Sequence, residues 1–117
     1  MTVRECYEAM GANYDEVFSR LRSDERIVRF LIKVAEDGSY ALLCRSLEEK
    51  NMEEAFRAAH TLKGICLNLS LTRLQESASK LTEALRGKTE YTPETVPLFE
   101  QVRVDYACAV ENIRKLS

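Results

Sequence analysis

Met52-Glu53-Glu54-Ala55-Phe56-Arg57-Ala58-Ala59-His60-Thr61-Leu62-Lys63-Gly64-Ile65-Cys66-Leu67-Asn68 carries its apolar residues at helical spacing. At roughly 100° of rotation per residue, Met52, Ala55, Ala58, Ala59, Leu62, Ile65, Cys66 and, just beyond, Leu69 fall in one broad stripe. The pattern predicts an amphipathic helix from Met52 to about Asn68. His60 is the only histidine of the chain. It lies about 150° from the centre of the stripe at the same pitch, so it is expected to face water. Lys63 follows at i+3 toward the flank, and Gly64 lies one turn on, on the same exposed face.

Gly64 breaks a local rule. A glycine inside a helix costs about 0.8–1 kcal/mol relative to alanine, and the apolar spacing runs on through Ile65, Cys66 and Leu69 as if nothing had ended. A close helix crossing would need the glycine to face the core, whereas this one faces solvent. Its missing side chain leaves bare backbone beside the imidazole. A rule broken with no structural gain marks a functional position.

Outward from this helix the whole chain reads as helical, so the fold class is all-α. A short helix from about Val3 to Met10 stops at Gly11. Asn13, with Glu16 three residues on, resembles a capping box for a helix through Leu21. Ser23 opens a helix over 24–36, with Asp24 and Glu25 at its positive end and Gly38 as its stop. Ser39 is expected to cap a helix to Lys50. Asn51 with Glu54 starts the His60 helix. Asn68-Leu69-Ser70 reads as a tight turn, and Thr72 with Gln75 as a further capping box. The next helix carries Leu71, Leu74, Ala78, Leu81 and Leu85 to Arg86, where Gly87 stops it. Thr92-Pro93 marks the cap and first turn of a last helix with Val96, Phe99, Val102, Tyr106 and Ile113 on its apolar side.

Short connections make neighbouring helices antiparallel. The segments 39–50, 52–68, 72–86 and 93–117 should therefore form an up-down-up-down four-helix bundle, with extra short N-terminal helices beside it. Residues 1–117 are read as one domain, 1–23 as an N-terminal helical extension and 24–117 as its core.

Composition excludes several function classes. The chain has 117 residues, 45% hydrophobic and 31% charged, which fits one globular domain. A net charge of −2 offers no basic footprint for nucleic acid. No apolar run approaches the roughly 20 residues that span a bilayer, and Met1-Thr2-Val3-Arg4-Glu5-Cys6 lacks an apolar leader, so no membrane role and a cytoplasmic location are expected. Cys6, Cys44, Cys66 and Cys108 have no C-x-x-C spacing. With a single histidine the chain cannot supply a two-histidine zinc set, and no metal site is expected.

Chemistry at His60 has to be intermolecular. The chain has no Ser–His–Asp arrangement and no glycine-rich phosphate loop after a strand. Glu53 and Arg57 share the exposed face, but one carboxylate does not make an acid–base pair. A neutral imidazole offers one nitrogen lone pair to an electrophile, and the Lys63 ammonium can balance an anion held there. Nucleophile, counter-charge and open access together form a phosphoryl-accepting surface.

Ala59-His60-Thr61-Leu62-Lys63-Gly64 resembles the H-x-x-K-G signature of histidine-containing phosphotransfer (HPt) domains. Asn68-Leu69-Ser70 followed by Leu74 is similar to that family's turn and next helix, and the likeness covers about Asp24 to Gly87. The resemblance implies that His60 carries phosphate on Nε2 and passes it between receiver-domain aspartates, one on a hybrid histidine kinase and one on a response regulator. It implies that Lys63 contacts the phosphoryl group and that Gly64 makes room for the receiver. The chain would be a phosphocarrier without its own ATP site or cofactor, Mg2+ being expected on the partner receiver, and would act as a monomer.

The chain departs from the family in having Ser70 where glycine is usual, and Ile65 and Cys66 where small residues follow the K-G pair. Ser70 should alter the turn rather than the phosphoacceptor. Residues expected to dock the partner are Phe56, Arg57, Leu67 and Asn68. In a hairpin turning near residue 70, positions 79–83 lie opposite His60, which nominates Ser79 and Thr82 as off-stripe polar helpers. The alternative reading is a helical adaptor that binds receivers or other signalling partners without carrying phosphate.

Overall fold

Side-chain caps set several of the helix starts. The computed structural model describes residues 1–116, and Ser117, the end of the expected last helix, lies outside them. Among the described residues there are seven helices and no strand: α1 (Val3–Ala9), α2 (Tyr14–Leu21), α3 (Asp24–Glu36), α4 (Ser39–Glu48), α5 (Met52–Asn68), α6 (Thr72–Leu85) and α7 (Thr95–Arg114). The side chains of Asn13, Ser23 and Asn51 accept hydrogen bonds from the backbone N–H groups of Glu16, Arg26 and Glu54 at 3.0, 3.3 and 3.1 Å. Thr2 and Glu5 form a full capping box for α1, which the sequence reading had not singled out.

Three expected caps are corrected. At α4 the cap position is Gly38, and the Asp37 carboxylate accepts from the Ser39 N–H at 2.8 Å, so Ser39 is the first helical residue. At α6 the cap is Leu71, with no side-chain hydrogen bond, and Thr72 is already helical. At α7 the chain makes a turn over Pro93 and Glu94 first. The Thr92 carbonyl accepts from both the N–H and the hydroxyl of Thr95, and the helix starts two residues later than Pro93 would place it. Pro97 then falls in the first turn, where a missing N–H breaks no helical bond.

α5 packs between α4 and α6, and α6 packs on α7. Tyr40 of α4 stacks on Tyr106 of α7 with centroids 3.9 Å apart and rings 5° from parallel, and also meets Phe99. This closes the four-helix bundle. α3 lies against α7, and the α1–α2 pair packs on α3 and α7. Val3, Cys6, Tyr7, Met10 and Val17 from the N-terminal helices are buried in the same apolar cluster as Leu43, Leu62, Leu81 and Ile113.

The α5–α6 turn is where the N-terminal helices grip the bundle. The Leu71 N–H donates to Cys66 O at 2.9 Å and the Ser70 N–H to Leu67 O at 3.2 Å, the two bonds of a Schellman motif. Ser70 occupies the left-handed position of that motif, with φ +56°, a conformation that favours glycine. Its hydroxyl offsets the cost: it donates to Glu16 Oε1 at 2.6 Å and accepts from Arg20 Nη2 at 2.7 Å. Arg20 Nη2 also reaches Asn68 O at 2.7 Å, capping the end of α5. The Asn13 N–H donates to Ser70 O at 2.9 Å, and the Tyr7 hydroxyl to Leu69 O at 2.8 Å.

Ser70→Ala keeps the left-handed backbone and removes the hydroxyl from two charged partners. It should destabilise the fold by about 1–3 kcal/mol in urea unfolding, the range for a hydrogen bond to a charged group. Ser70→Gly loses the same bonds but recovers the backbone cost of about 1 kcal/mol, so its stability should fall between alanine and wild type.

Candidate functional site

The buried face of α5 decides what its other face presents. Met52, Ala55, Ala58, Ala59, Leu62 and Cys66 are all buried, so the opposite side of the helix must point outward, and His60 is exposed. Gly64, one turn on, is partly exposed, and a Cβ added there would meet no atom within 4 Å. No helix crosses at this glycine. The imidazole therefore stands beside an open stretch of backbone, as its wheel position predicts.

One flank of His60 is built by α6. The Phe56 ring, one turn before His60, meets the imidazole edge to face, with centroids 5.9 Å apart and planes 71° apart. The Arg86 guanidinium lies over Phe56, 5.1 Å from its centroid. Arg86 in turn donates from Nε to Glu83 Oε2 and from Nη2 to Glu83 Oε1, both at 3.0 Å. The hydrogen bonds from Arg86 hold the Glu83 carboxyl below the usual carboxylate range, and charge on Arg86, Lys63 and His60 adds to the effect. Glu83 thus senses both residues of the proposed phosphoryl surface. Lys63 itself is half-buried and takes part in no ion pair among the described residues.

The other flank is apolar. A groove of about 330 Å³ is lined by Leu21 of α2, Phe30 and Val34 of α3, and Ile65 and Leu69 of the α5 end, with Lys33, Asp37 and Asn68 at its polar edge. Phe30 is 42% and Leu67 57% exposed, large values for side chains of this kind. Both lie on the side of the molecule that carries the end of α5.

The expected docking residues divide. Phe56 meets His60, and Leu67 is exposed near the end of α5. Arg57 is exposed but engaged, pairing with Glu53 at 3.0 Å and Glu54 at 3.1 Å. The Asn68 side chain edges the groove while its carbonyl is taken by Arg20. Ser79 is partly exposed and its hydroxyl accepts from Gln75 Nε2 at 3.3 Å. Thr82 needs correction: it is fully buried, and its hydroxyl donates back to Ala78 O at 2.7 Å. The turn on α6 that faces His60 presents Glu83, the next residue, instead. Glu83 and Arg86 were missed because an i,i+3 charge pair on an exposed helix end reads as solvated surface. Glu83 falls in the expected 79–83 window, where spacing within α6 alone does not distinguish it from the hydroxyl residues.

Each of the four cysteines is buried or partly covered. Burial pushes the Cys6 thiol up to about 11 and Cys66 up to about 12, and Cys44 and Cys108 are partly covered free thiols. Among the described residues no group of three or more His, Cys, Asp and Glu is placed to hold a metal ion. Among the same residues no helix is long and apolar enough to cross a membrane.

Neither a curated protein nor a solved structure matches this chain significantly. The family model of the Hpt domain matches residues 30–112, from the middle of α3 almost to the end of α7. Hpt domains are phosphocarrier modules rather than ATP-binding enzymes, and they interact with receiver domains and kinases in two-component signalling. An exposed histidine followed at i+3 by lysine and at i+4 by an unobstructed glycine lies in the middle of the matched segment, on an all-helical bundle, and the chain belongs to the Hpt domain family.

Proposed function

We propose that this chain accepts a phosphoryl group on His60 from the aspartyl phosphate of one receiver domain and donates it to the aspartate of another. The first receiver belongs to a hybrid histidine kinase and the second to a response regulator, with the chain acting in the cytoplasm as a monomer. The observation that carries the reading is the open backbone at Gly64 beside an exposed His60. An adaptor that binds without carrying phosphate has no use for a nucleophile, a counter-charge and a cleared approach on one face.

The chemistry needs little from the carrier. The lone pair of neutral imidazole Nε2 attacks phosphorus, the N–P bond forms as the acyl O–P bond breaks, and the receiver carboxylate leaves with the bonding pair. The Nδ1 proton stays on the ring until solvent removes it. Lys63 sets an ammonium against the phosphoryl oxygens, an electrostatic role that follows the charge as it moves. Mg2+ belongs to the receiver in this scheme. The apolar groove between α3 and the end of α5, with exposed Phe30 and Leu67, supplies the area on which the receiver seats.

His60→Gln should abolish acid-labile, base-stable labelling by a phosphorylated receiver while thermal melting stays within about 0.5 kcal/mol of wild type, as for other exposed positions. Label remaining on the variant would remove His60 as sole acceptor. Lys63→Ala should still accept phosphate, but transfer more slowly or hold it for less time; unchanged rate and lifetime would leave Lys63 without a role.

Gly64 separates stability from function. Since a Cβ meets nothing there, Gly64→Ala should stabilise the domain by up to about 1 kcal/mol, and Gly64→Gln by somewhat less. The two should diverge in transfer kinetics. Alanine adds one methyl, whereas glutamine places a long side chain in the receiver's path and should slow transfer severely. Wild-type rates in Gly64→Gln would sink the open-access argument.

A further inference from the structure

The Glu83–Arg86 pair is a charged cluster that touches the surroundings of His60 through Phe56 and has no part in the scheme above. We propose that Arg86 is a second phosphoryl ligand of the His60 site, held in reserve by Glu83, and that the exchange of Arg86 between Glu83 and the phosphoryl group sets how tightly this domain holds its phosphate. The inference rests on the phosphotransfer reading and deepens it.

Three contacts carry it. Phe56 meets the imidazole edge to face at 5.9 Å, Arg86 lies over Phe56 at 5.1 Å, and Glu83 binds Arg86 through two parallel hydrogen bonds of 3.0 Å. The aromatic ring is a platform shared by guanidinium and imidazole, so Arg86 is stationed beside His60 rather than dispersed in solvent. The same Glu83 carboxylate feels the charges of His60 and Lys63.

The pair is poised to exchange. Both side chains are more than half exposed, at 54% for Arg86 and 60% for Glu83, and exposed pairs of this kind contribute little net stability. Arg86 is the C-cap of α6, where the helical backbone ends, so the side chain can swing without disturbing the core. A phosphoryl dianion offers three oxygens and twice the charge of a carboxylate, a better match for the guanidinium fork. Phosphorylation of His60 therefore draws Arg86 off Glu83. The cost of that release keeps the phosphohistidine from becoming too stable to donate.

The two residues thus act with opposite sign, and the effect of Glu83 depends on the presence of Arg86. The test uses phosphoramidate, a donor too small to depend on receiver docking. Its N–P bond breaks, ammonia leaves with the electron pair, and the Nε2–P bond of His60 forms. At a fixed ratio of phosphoramidate to ammonia, 31P NMR reads the fraction of phosphohistidine in the full chain. Arg86→Ala should lower the exchange equilibrium constant by about threefold to tenfold, and Glu83→Gln should raise it by a similar factor, the range for a partly solvated charge-assisted contact. Arg86→Lys keeps the charge without the fork and should fall between wild type and alanine. In the Glu83→Gln/Arg86→Ala double variant most of the gain from glutamine should vanish, because Glu83 acts by occupying Arg86.

Shifts of the same sign in both single variants, or none in either, would overturn the proposal. So would a gain from Glu83→Gln that survives intact without Arg86, which would make Glu83 a simple repelling charge. If the folded wild type takes no phosphate from phosphoramidate or from a phosphorylated receiver, the phosphotransfer reading fails and takes this inference with it. If wild type is labelled on His60 and only the opposite-sign pattern is missing, the inference alone fails.

Discussion

Burial of one face of α5 against α4 and α6 is the constraint from which the rest of the molecule follows. A helix has one rotation about its axis, and six buried residues between Met52 and Cys66 settle it. Once Ala58, Ala59 and Leu62 are inside, His60 and Gly64 are outside, and the small side chains of Ala55, Ala58 and Ala59 let the neighbouring helices approach closely. Burying the stripe is favourable at roughly 25 cal/mol per Å² of apolar surface. Exposing His60 costs nothing further. The orientation of the site is a by-product of core packing, which makes it rigid without any hydrogen bond to the imidazole.

The end of the same helix is held by a different kind of force. The α5–α6 turn places Ser70 in a left-handed conformation that glycine adopts freely, and the N-terminal helices offset this through Glu16, Arg20, Asn13 and Tyr7. Gly11 is tied into this arrangement: its φ is +64°, its carbonyl accepts from the Arg73 N–H at 3.2 Å, and a Cβ would collide with the Arg73 guanidinium. Residues outside the matched family segment thus stabilise the turn that ends the phosphoacceptor helix. Departure from glycine at position 70 and the presence of α1 and α2 are two parts of one solution.

The site has unlike flanks. Toward α6 it is charged, with Arg86 seated on Phe56 and paired with Glu83; toward α3 it is apolar, with Phe30 and Leu21 facing Ile65 across the groove. A partner meeting both flanks would be positioned by apolar area on one side and by charge on the other, so affinity and chemistry can be tuned by different residues. Surface charges near His60 are screened by solvent, and their influence rests on proximity, which is why the shared Phe56 platform matters.

Periodicity alone determined the all-helical class, the stripe of α5, the exposure of His60 and the openness at Gly64, because each depends only on residue spacing at a known helical pitch. The caps at Asn13, Ser23 and Asn51 were equally readable, since a cap is a contact between residues three apart. Ser39, Thr72 and Thr92 show the limit: a residue with the right side chain does not cap a helix when an adjacent turn supplies the bonds, and that choice depends on how the chain enters from elsewhere in the fold. The long-range contacts were decided only in three dimensions. Arg20 reaching Asn68 and Ser70, Thr82 turning inward while Glu83 faces His60, and Phe30 lining a groove with Ile65 all depend on the relative rotation and offset of packed helices. Those quantities are set by the interdigitation of side chains from several segments at once, which the pattern within any one segment does not contain.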